Sequence, residues 1–514
     1  MGLGRTWTVC LVGLQGHLVE VEAHRSPGLP SFTLVGLPDT AVNEARERVR
    51  AAVTSSGMAW NARRITVNLS PASLPKTGTS LDLALAVAVL VADGLPAAAR
   101  AAGTVHLGEL GLDGRVHPVR GVLPAVAAAV TAGRRDVVVP AGNAAEAALV
   151  PGARVHPVRH LAELVVRYGG RATVPAPVAP APAPVPVRPP GGPGPDLVDV
   201  LGQDEARFAL EVAAAGGHHL FLVGAPGAGK TMLAARLPGL LPDLSDAEAV
   251  EVTAVHSVSG LFDPGGGLVR RPPFEDPHHT ATPAAVIGGG SGIPRPGAAT
   301  RAHRGVLFLD EAPEFSPRVL ETLRQPLEHG ELVLHRAAGS ARYPARFQLV
   351  LAANPCPCGR AVGKGLRCTC SAAERRRYLG RLSGPLLDRI DIQVDVEPVT
   401  RAMLALAGAP EPSARVAGRV AAARARQRDR LAATPWRTNA EVPGSWLRGP
   451  DGALPADVRA SLERAMDRGS LSMRGLDRVL RLAWTLTDLA GRARPTTTDV
   501  GAAIGLRTRG LTDA

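Results

Sequence analysis

The stretch HHLFLVGAPGAGKTMLAARLPGLL, residues 218–241, limits what the chain can fold into more than any other. An apolar run precedes Gly224-Ala225-Pro226-Gly227-Ala228-Gly229-Lys230-Thr231, and a helix-forming run follows. Strand, glycine-rich turn and helix N-terminus in that order make an anion cradle. Its glycines let backbone N–H groups curl around phosphates, Lys230 reaches the β and γ phosphates, and Thr231 holds Mg²⁺. Residues 198–400 alternate apolar strands with helices around this motif, as a parallel nucleotide-binding sheet requires.

A phosphate cradle implies chemistry only if carboxylates stand beside it. About 80 residues downstream, GVLFLDEAPEF places Asp310 and Glu311 at the end of an apolar strand. Asp310 is suited to the magnesium ion and Glu311 to the attacking water, the two requirements of γ-phosphoryl transfer. A third strand, RFQLVLAANP, ends in Asn354, a polar residue placed to read the γ-phosphate of a P-loop ATPase of the AAA+ type. Two arginines follow: Arg389 in RLSGPLLDRIDIQVDV and Arg474 in SLSMRGLDRVLRLAW. An arginine is planar, permanently charged and able to meet transition-state charge. Arg389 is the candidate finger for a neighbouring subunit's nucleotide and Arg474 the candidate lid-borne sensor; a surface ion pair is the alternative for either.

Between Pro175 and Pro195 the chain reads PAPVAPAPAPVPVRPPGGPGP. Proline removes backbone donors and fixes φ, so this tract is expected to be a semi-rigid spacer up to roughly 60 Å long that separates two independent units. The expected divisions are an α/β domain over 1–168, a proline-rich linker over 169–197, the nucleotide-binding domain over 198–400 and a helical, arginine-rich lid over 401–514. With 514 residues the chain has length enough for several cores.

The net charge of +12 points to an anionic partner, nucleic acid first, although an Ala, Gly, Pro and Arg excess is also what a GC-rich genome encodes. No apolar run reaches the roughly 18 uncharged residues of a membrane helix, so no membrane partner is expected. The N-terminus lacks a secretory layout, and five cysteines fit a reducing compartment, so the expected location is the cytoplasm.

Four of those cysteines crowd into NPCPCGRAVGKGLRCTC, residues 354–370. Cys356, Cys358, Cys368 and Cys370 could bind Zn²⁺, form a reversible disulfide, or stay reduced as loop residues. The one-residue spacing within each pair is shorter than structural zinc sites favour. The segment ARVAGRVAAARARQRDRL carries Arg415, Arg419, Arg426 and Arg430 on one helical face; a solvated surface is the default reading, and a DNA or subunit contact the sharper one.

Taken together these blocks resemble the Mg-chelatase-like AAA+ ATPases of the ComM/YifB type. DVLGQDEARFALEVAAAGGHHLFLVGAPGAGKTMLA, EVTAVHSVSGL, RPPFEDPHHTATPAAVIGGG, HRGVLFLDEAPEFSPRVLETLRQPLEHGELVLHRA and YLGRLSGPLLDRIDI carry the likeness, which spans nearly all of the chain outside the proline tract. The resemblance implies a ring, hexameric in expectation, with ATP and Mg²⁺ between subunits. It also implies a DNA helicase or branch-migration translocase of recombination or natural transformation. A chelatase-like remodelling ATPase acting on a protein partner is the alternative. It further implies a hairpin over 331–347 with Arg336 near its tip and a second loop over 285–298, both facing the pore. His278 and His279 stay unassigned. Where family members read ART, this chain has Ala483-Trp484-Thr485.

The N-terminal unit is similar to the proteolytic domain of Lon, a ribosomal S5 domain 2-like α/β fold. Ser80 stands at the nucleophile's place, but Leu123 stands where the lysine base belongs, and Lys76 lies in another segment. A serine without a positioned base is a poor nucleophile, so no peptidase activity is expected.

Overall fold

The computed structural model describes residues 2–60, 63–176, 194–290, 294–336, 339–361, 367–406, 410–450, 452, 454–467 and 471–508. Most of the proline tract, and with it the expected spacer, lies outside the described residues.

Residues Leu220–Gly224, Phe274–Glu275, Val306–Leu309, Gln348–Ala353 and Ile392–Val396 form one all-parallel five-stranded sheet. Across the sheet the order is Phe274–Glu275, Val306–Leu309, Gln348–Ala353, Leu220–Gly224, Ile392–Val396. The strand carrying Asn354 at its end therefore lies between the carboxylate strand and the P-loop strand. Register aligns Leu220 with Val350 and Leu309 with Leu351.

Both faces are apolar because both are covered. Leu220, Leu222, Phe308, Val350, Ile392 and Val394 alternate onto one face, where they share a core with the lid residues Val416, Val420, Val479, Leu482 and Trp484. Phe221, Val223, Leu307, Leu309, Leu349 and Leu351 alternate onto the other, against Val286, Ala299, Leu320 and Leu386. The lid helices Ser413–Arg430, Ala456–Asp467, Met473–Leu489 and Thr497–Thr508 are thus part of the sheet's own core.

The N-terminal unit has a mixed seven-stranded sheet, with long antiparallel strands Gly2–Val12 and Gln15–Ser26 near its centre. The helix Asp82–Ala92 is buried along its whole length. Leu123 is buried on the helix Val122–Thr131, and its N–H donates to Glu146 Oε1 at 2.9 Å. Lys76 is fully buried, with its ammonium on the Pro71 carbonyl.

The expected independence of the two units is not what the structure has. Ala254 on the helix Asp246–Ser259 belongs to the same apolar cluster as Val9, Leu123 and Val126, and Val250 and Leu268 pack against it. Beside this contact the Ser257 hydroxyl donates to Glu146, and the Gly121 N–H donates to the Ser257 carbonyl at 3.3 Å. A helix read from sequence as part of one domain carries an apolar face for the other.

Candidate active site

The C-terminal edge of the parallel sheet gathers the first group of sequence candidates. Gly224 closes the P-loop strand where a Cβ would come within 2.3 Å of the Val396 carbonyl oxygen, so the backbone can run there only as glycine. Gly227 and Gly229 take φ of 77° and 96°, left-handed values that turn the loop back onto the helix beginning at Lys230. Ala225 and Ala228 close the turn through an N–H···O bond of 3.1 Å.

Lys230 donates to the Gly224 carbonyl at 2.7 Å, the Ala225 carbonyl at 3.0 Å and Asn354 Oδ1 at 3.1 Å. Burial lowers its pKa, while Asp310 and Glu311 act to raise it. Thr231 Oγ1 donates to Asp310 Oδ2 at 2.6 Å, and the Glu311 N–H donates to Asp310 Oδ1 at 2.9 Å. A hydroxyl oxygen in contact with a carboxylate oxygen is the all-oxygen donor set that suits Mg²⁺. Glu311 has φ of 50°, a left-handed conformation that a non-glycine residue seldom takes. Its carboxylate lies 3.3 Å from His279 Nδ1, and the His279 ring lies 4.1 Å from that of His278.

Arg389 and Arg474 are elsewhere. The Asp391 and Ile392 N–H groups both donate to the His219 carbonyl, at the start of the P-loop strand. Arg389 therefore sits at the N-terminal edge of the sheet, about 15–20 Å from the P-loop at the usual rise per strand residue. Its guanidinium is held by Glu328 and the Pro385 carbonyl. Burial lowers its pKa, and the neighbouring Arg324, Arg478 and Arg474 add to that. Arg474 is 78% exposed and 3.3 Å from Asp388. Both line a cleft of about 1110 Å³ whose walls carry nine arginines against six carboxylates. This cleft is thus at the opposite edge from the carboxylate pair.

Other expectations resolve as follows. The arginine face of the helix Ser413–Arg430 is largely occupied within the chain: Arg419 bonds Glu211 and Glu411, Arg430 bonds Asp488, and Arg426 donates to the Asp488 carbonyl. Trp484 is buried in the lid beneath Arg430, whose guanidinium carbon lies 4.4 Å from the ring centroid, so the departure from ART falls in the core. Glu331–Arg336 and Gly339–Pro344 form an antiparallel hairpin, with Arg336 in its last strand position; the Arg336 side chain lies outside the described residues. Gly288–Gly289 and Arg295–Pro296 pair beside it, and Tyr343 donates to the Pro294 carbonyl; residues 291–293 are outside the description. The four cysteine sulfurs lie within 4.8 Å of one another.

With this geometry in hand, comparison with known proteins gives a consistent answer. Residues 196–404 match the family profile described as magnesium chelatase, subunit ChlI; residues 21–143 match subunit ChlI of Mg-chelatase, and 410–507 its C-terminal region. The competence protein ComM of Haemophilus influenzae is 39% identical over 508 residues, 99% of this chain and 98% of that one. The chain belongs to the Mg-chelatase-like ComM and YifB family. YifB of Escherichia coli is 40% identical over 494 residues, 95% and 94% of the two chains. An uncharacterized protein of Mycobacterium tuberculosis is 53% identical over 513 residues, 99% of each. The family carries a chelatase-like AAA+ ATPase domain on a P-loop fold. No helix among the described residues is long and apolar enough to cross a membrane.

Three residues of the site had no assigned role in the sequence. Gln203 donates to the Ala228 carbonyl at 3.2 Å and the Glu397 carbonyl at 2.6 Å, tying the P-loop to the outer strand. Tyr378 lies beside the Asn354 backbone, and burial pushes its pKa up to about 12. His279 holds Glu311. The only signal for each was its place in a quoted block, GQDE, YLGR and DPHHT, and local pattern assigns no partner more than 20 residues away.

Proposed function

We propose that the chain hydrolyses ATP within a hexameric ring of identical subunits and uses the cycle to move DNA. It would act as a cytoplasmic helicase or branch-migration translocase in recombination or natural transformation. The observation that carries the ring is the separation of the arginines from the P-loop edge. Lys230, Thr231, Asp310, Glu311 and Asn354 lie together at one edge, while Arg389 and Arg474 line a cationic cleft at the other. Two copies stacked edge to edge would complete one site.

In that site backbone N–H groups of the P-loop and the Lys230 ammonium hold the phosphates. Thr231 and Asp310 would hold Mg²⁺, which supplies charge neutralisation at the β- and γ-phosphate oxygens. Glu311 accepts a proton from water as the water oxygen bonds to the γ-phosphorus. The bond from that phosphorus to the β,γ-bridging oxygen breaks, leaving ADP and phosphate. Asn354 orients the attacking water, and the neighbour's Arg389 and Arg474 meet the charge that develops.

DNA as the moved partner is supported by the net charge of +12, by the two hairpins packed against each other, and by the likeness to a competence protein. A backbone-gripping hairpin needs no base recognition. The match to magnesium chelatase profiles is compatible with the second reading, a remodelling motor with a protein client. ATP turnover with no DNA, single-stranded, duplex and branched DNA separates them, with Lys230→Ala as control. Stimulation of at least several-fold that weakens with salt is the expected result. Turnover unaffected by every DNA, with no salt-sensitive binding, would favour the protein client.

A further inference from the structure

Cys356 and Cys358 leave the strand Gln348–Ala353 directly after Asn354, and Cys368 and Cys370 directly precede the helix Ala372–Leu379. Cys356 is fully buried and the other three are half-buried. The sulfurs of Cys356 and Cys358 are 3.3 Å apart, those of Cys356 and Cys368 3.7 Å, and those of Cys358 and Cys368 3.8 Å. A disulfide would need about 2.05 Å. Four sulfurs placed tetrahedrally about one ion at a Zn–S distance of about 2.3 Å stand about 3.8 Å from one another. The observed separations scatter around that value.

The backbone is arranged around sulfur as well. Gly359 takes φ of 74°, and its N–H donates to the Cys356 carbonyl at 2.9 Å, closing a tight turn over Cys-Pro-Cys-Gly. The backbone at Arg360 and Thr369 lies beside the Cys358 sulfur, where N–H groups support a thiolate ligand in the way outer contacts do at other metal sites. A tetrathiolate zinc centre carries a net charge of about −2, and Arg360, Arg367, Arg375, Arg376 and Arg377 flank it in sequence.

The cluster also touches the nucleotide edge from two sides. A Cβ on Gly359 would come within 2.5 Å of Pro226 Cδ, so the cysteine turn lies directly on the P-loop. On the other side, the helix after Cys370 carries Tyr378, which lies beside the Asn354 backbone, and Arg381 just beyond it donates to Glu314 Oε2 at 2.9 Å and to the Pro313 carbonyl at 3.3 Å. The two ends of the cysteine loop therefore meet the P-loop, Asn354 and the segment after Glu311.

We propose that Cys356, Cys358, Cys368 and Cys370 bind one Zn²⁺ ion tetrahedrally, and that this ion positions Asn354 and Pro226 for phosphoryl transfer. Four soft thiolates in tetrahedral array select zinc over the hard, oxygen-loving Mg²⁺ of the neighbouring site. The one-residue spacing that argues against zinc in the sequence is accommodated by the Gly359 turn and by pairing across the loop. The positioning role rests on Asn354 being the phosphate sensor; the metal site itself does not.

The test uses the full chain, purified under reducing conditions. Metal analysis is expected to find one zinc per chain, with Cys10 reacting with a thiol reagent only on unfolding and the other four only after chelation. Co²⁺ loaded in place of zinc should give the sulfur-to-metal charge-transfer band of a tetrathiolate site. Cys368→Ser/Cys370→Ser should lose the metal, Cys10→Ser should keep it, and Lys230→Ala should keep it while losing ATP turnover. Chelation is expected to lower kcat about tenfold or more with KM for ATP within a few-fold, and zinc re-addition to restore it. Because chelation and re-addition act on the unaltered chain, a misfolded variant does not decide the outcome. Iron in the purified protein, a disulfide, or four freely reactive thiols would overturn the zinc site. A zinc-replete protein whose kcat is unchanged by chelation would overturn the positioning role alone. A zinc-replete protein with no ATP turnover would overturn the ATPase reading and leave the metal site standing.

Discussion

The two edges of the parallel sheet are made of the same strands and do opposite electrostatic work. At the C-terminal edge the strands run out at Gly224 and just before Asp310 and Asn354, and the Lys230 ammonium sits among the Gly224 and Ala225 carbonyls and Asn354 Oδ1. At the N-terminal edge long side chains dominate: Arg474 pairs with Asp388, Arg478 with Asp391 and Arg389 with Glu328. Burial lowers the pKa of Arg389, and the neighbouring cations add to that. On the proposed reading neither edge is a complete site: one would supply the phosphate cradle and the water-activating group, the other the permanent positive charge, and the length of the strands keeps them apart.

Each edge can be disabled in turn. Lys230→Ala is expected to lower ATP turnover by about 100-fold or more, because no other described ammonium faces the P-loop. Arg389→Ala is expected to lower kcat by about 10²–10³ with little change in nucleotide affinity, as the proposed transition-state role requires. If the edges serve one another across subunits, mixing the two inactive proteins restores part of the turnover, because some interfaces then carry Lys230 on one side and Arg389 on the other. Steady-state turnover against mixing ratio measures this. No recovery in an assembled mixed ring would break the two-edge account.

His279→Ala sharpens the same contrast within the P-loop edge. His279 draws the Glu311 carboxylate to 3.3 Å, and Glu311 is already held at φ of 50°. Freed from that partner, the carboxylate is expected to change kcat by a few-fold while Kd for ATP stays within about twofold, as read by single-turnover kinetics beside nucleotide titration.

How much of this was legible in the sequence follows from the range of each interaction. The P-loop, Asp310 and Asn354 could be read because each is a local event: a strand, then a residue at its tip. The sheet order places the Asn354 strand between the other two, as the AAA+ reading of that strand required. The arginine face of Ser413–Arg430 was legible as a face but not as an occupied one, because Glu211 lies 208 residues from Arg419. The docking of the two units through Ala254 was hidden for a related reason. Its helix is apolar on more than one side, and nothing in local periodicity says which neighbour covers the second.

The smallest expected effect concerns what fixes the arginine edge to the lid. His218 is fully buried between Asp391 Oδ2, 3.1 Å from Nδ1, and Thr485 Oγ1, 2.8 Å from Nε2; Asn439 donates to the same hydroxyl at 2.9 Å. Thr485→Val would leave the ring nitrogen without its partner and is expected to cost about 1–3 kcal/mol, seen as a lowered Tm with nucleotide affinity at the P-loop edge unchanged. The same histidine gives a pH dependence of defined sign. Burial lowers its pKa from 6.5 despite the pull of Asp391, so the folded chain resists a proton that the unfolded chain accepts. Its contribution is complete above pH 6.5 and is lost as pH falls below that towards the folded-state value. His218→Gln, which removes the titrating group, should flatten this part of the Tm profile between pH 7 and 5.5. A profile equally steep in the variant would place the acid sensitivity elsewhere and leave the lid junction as packing alone.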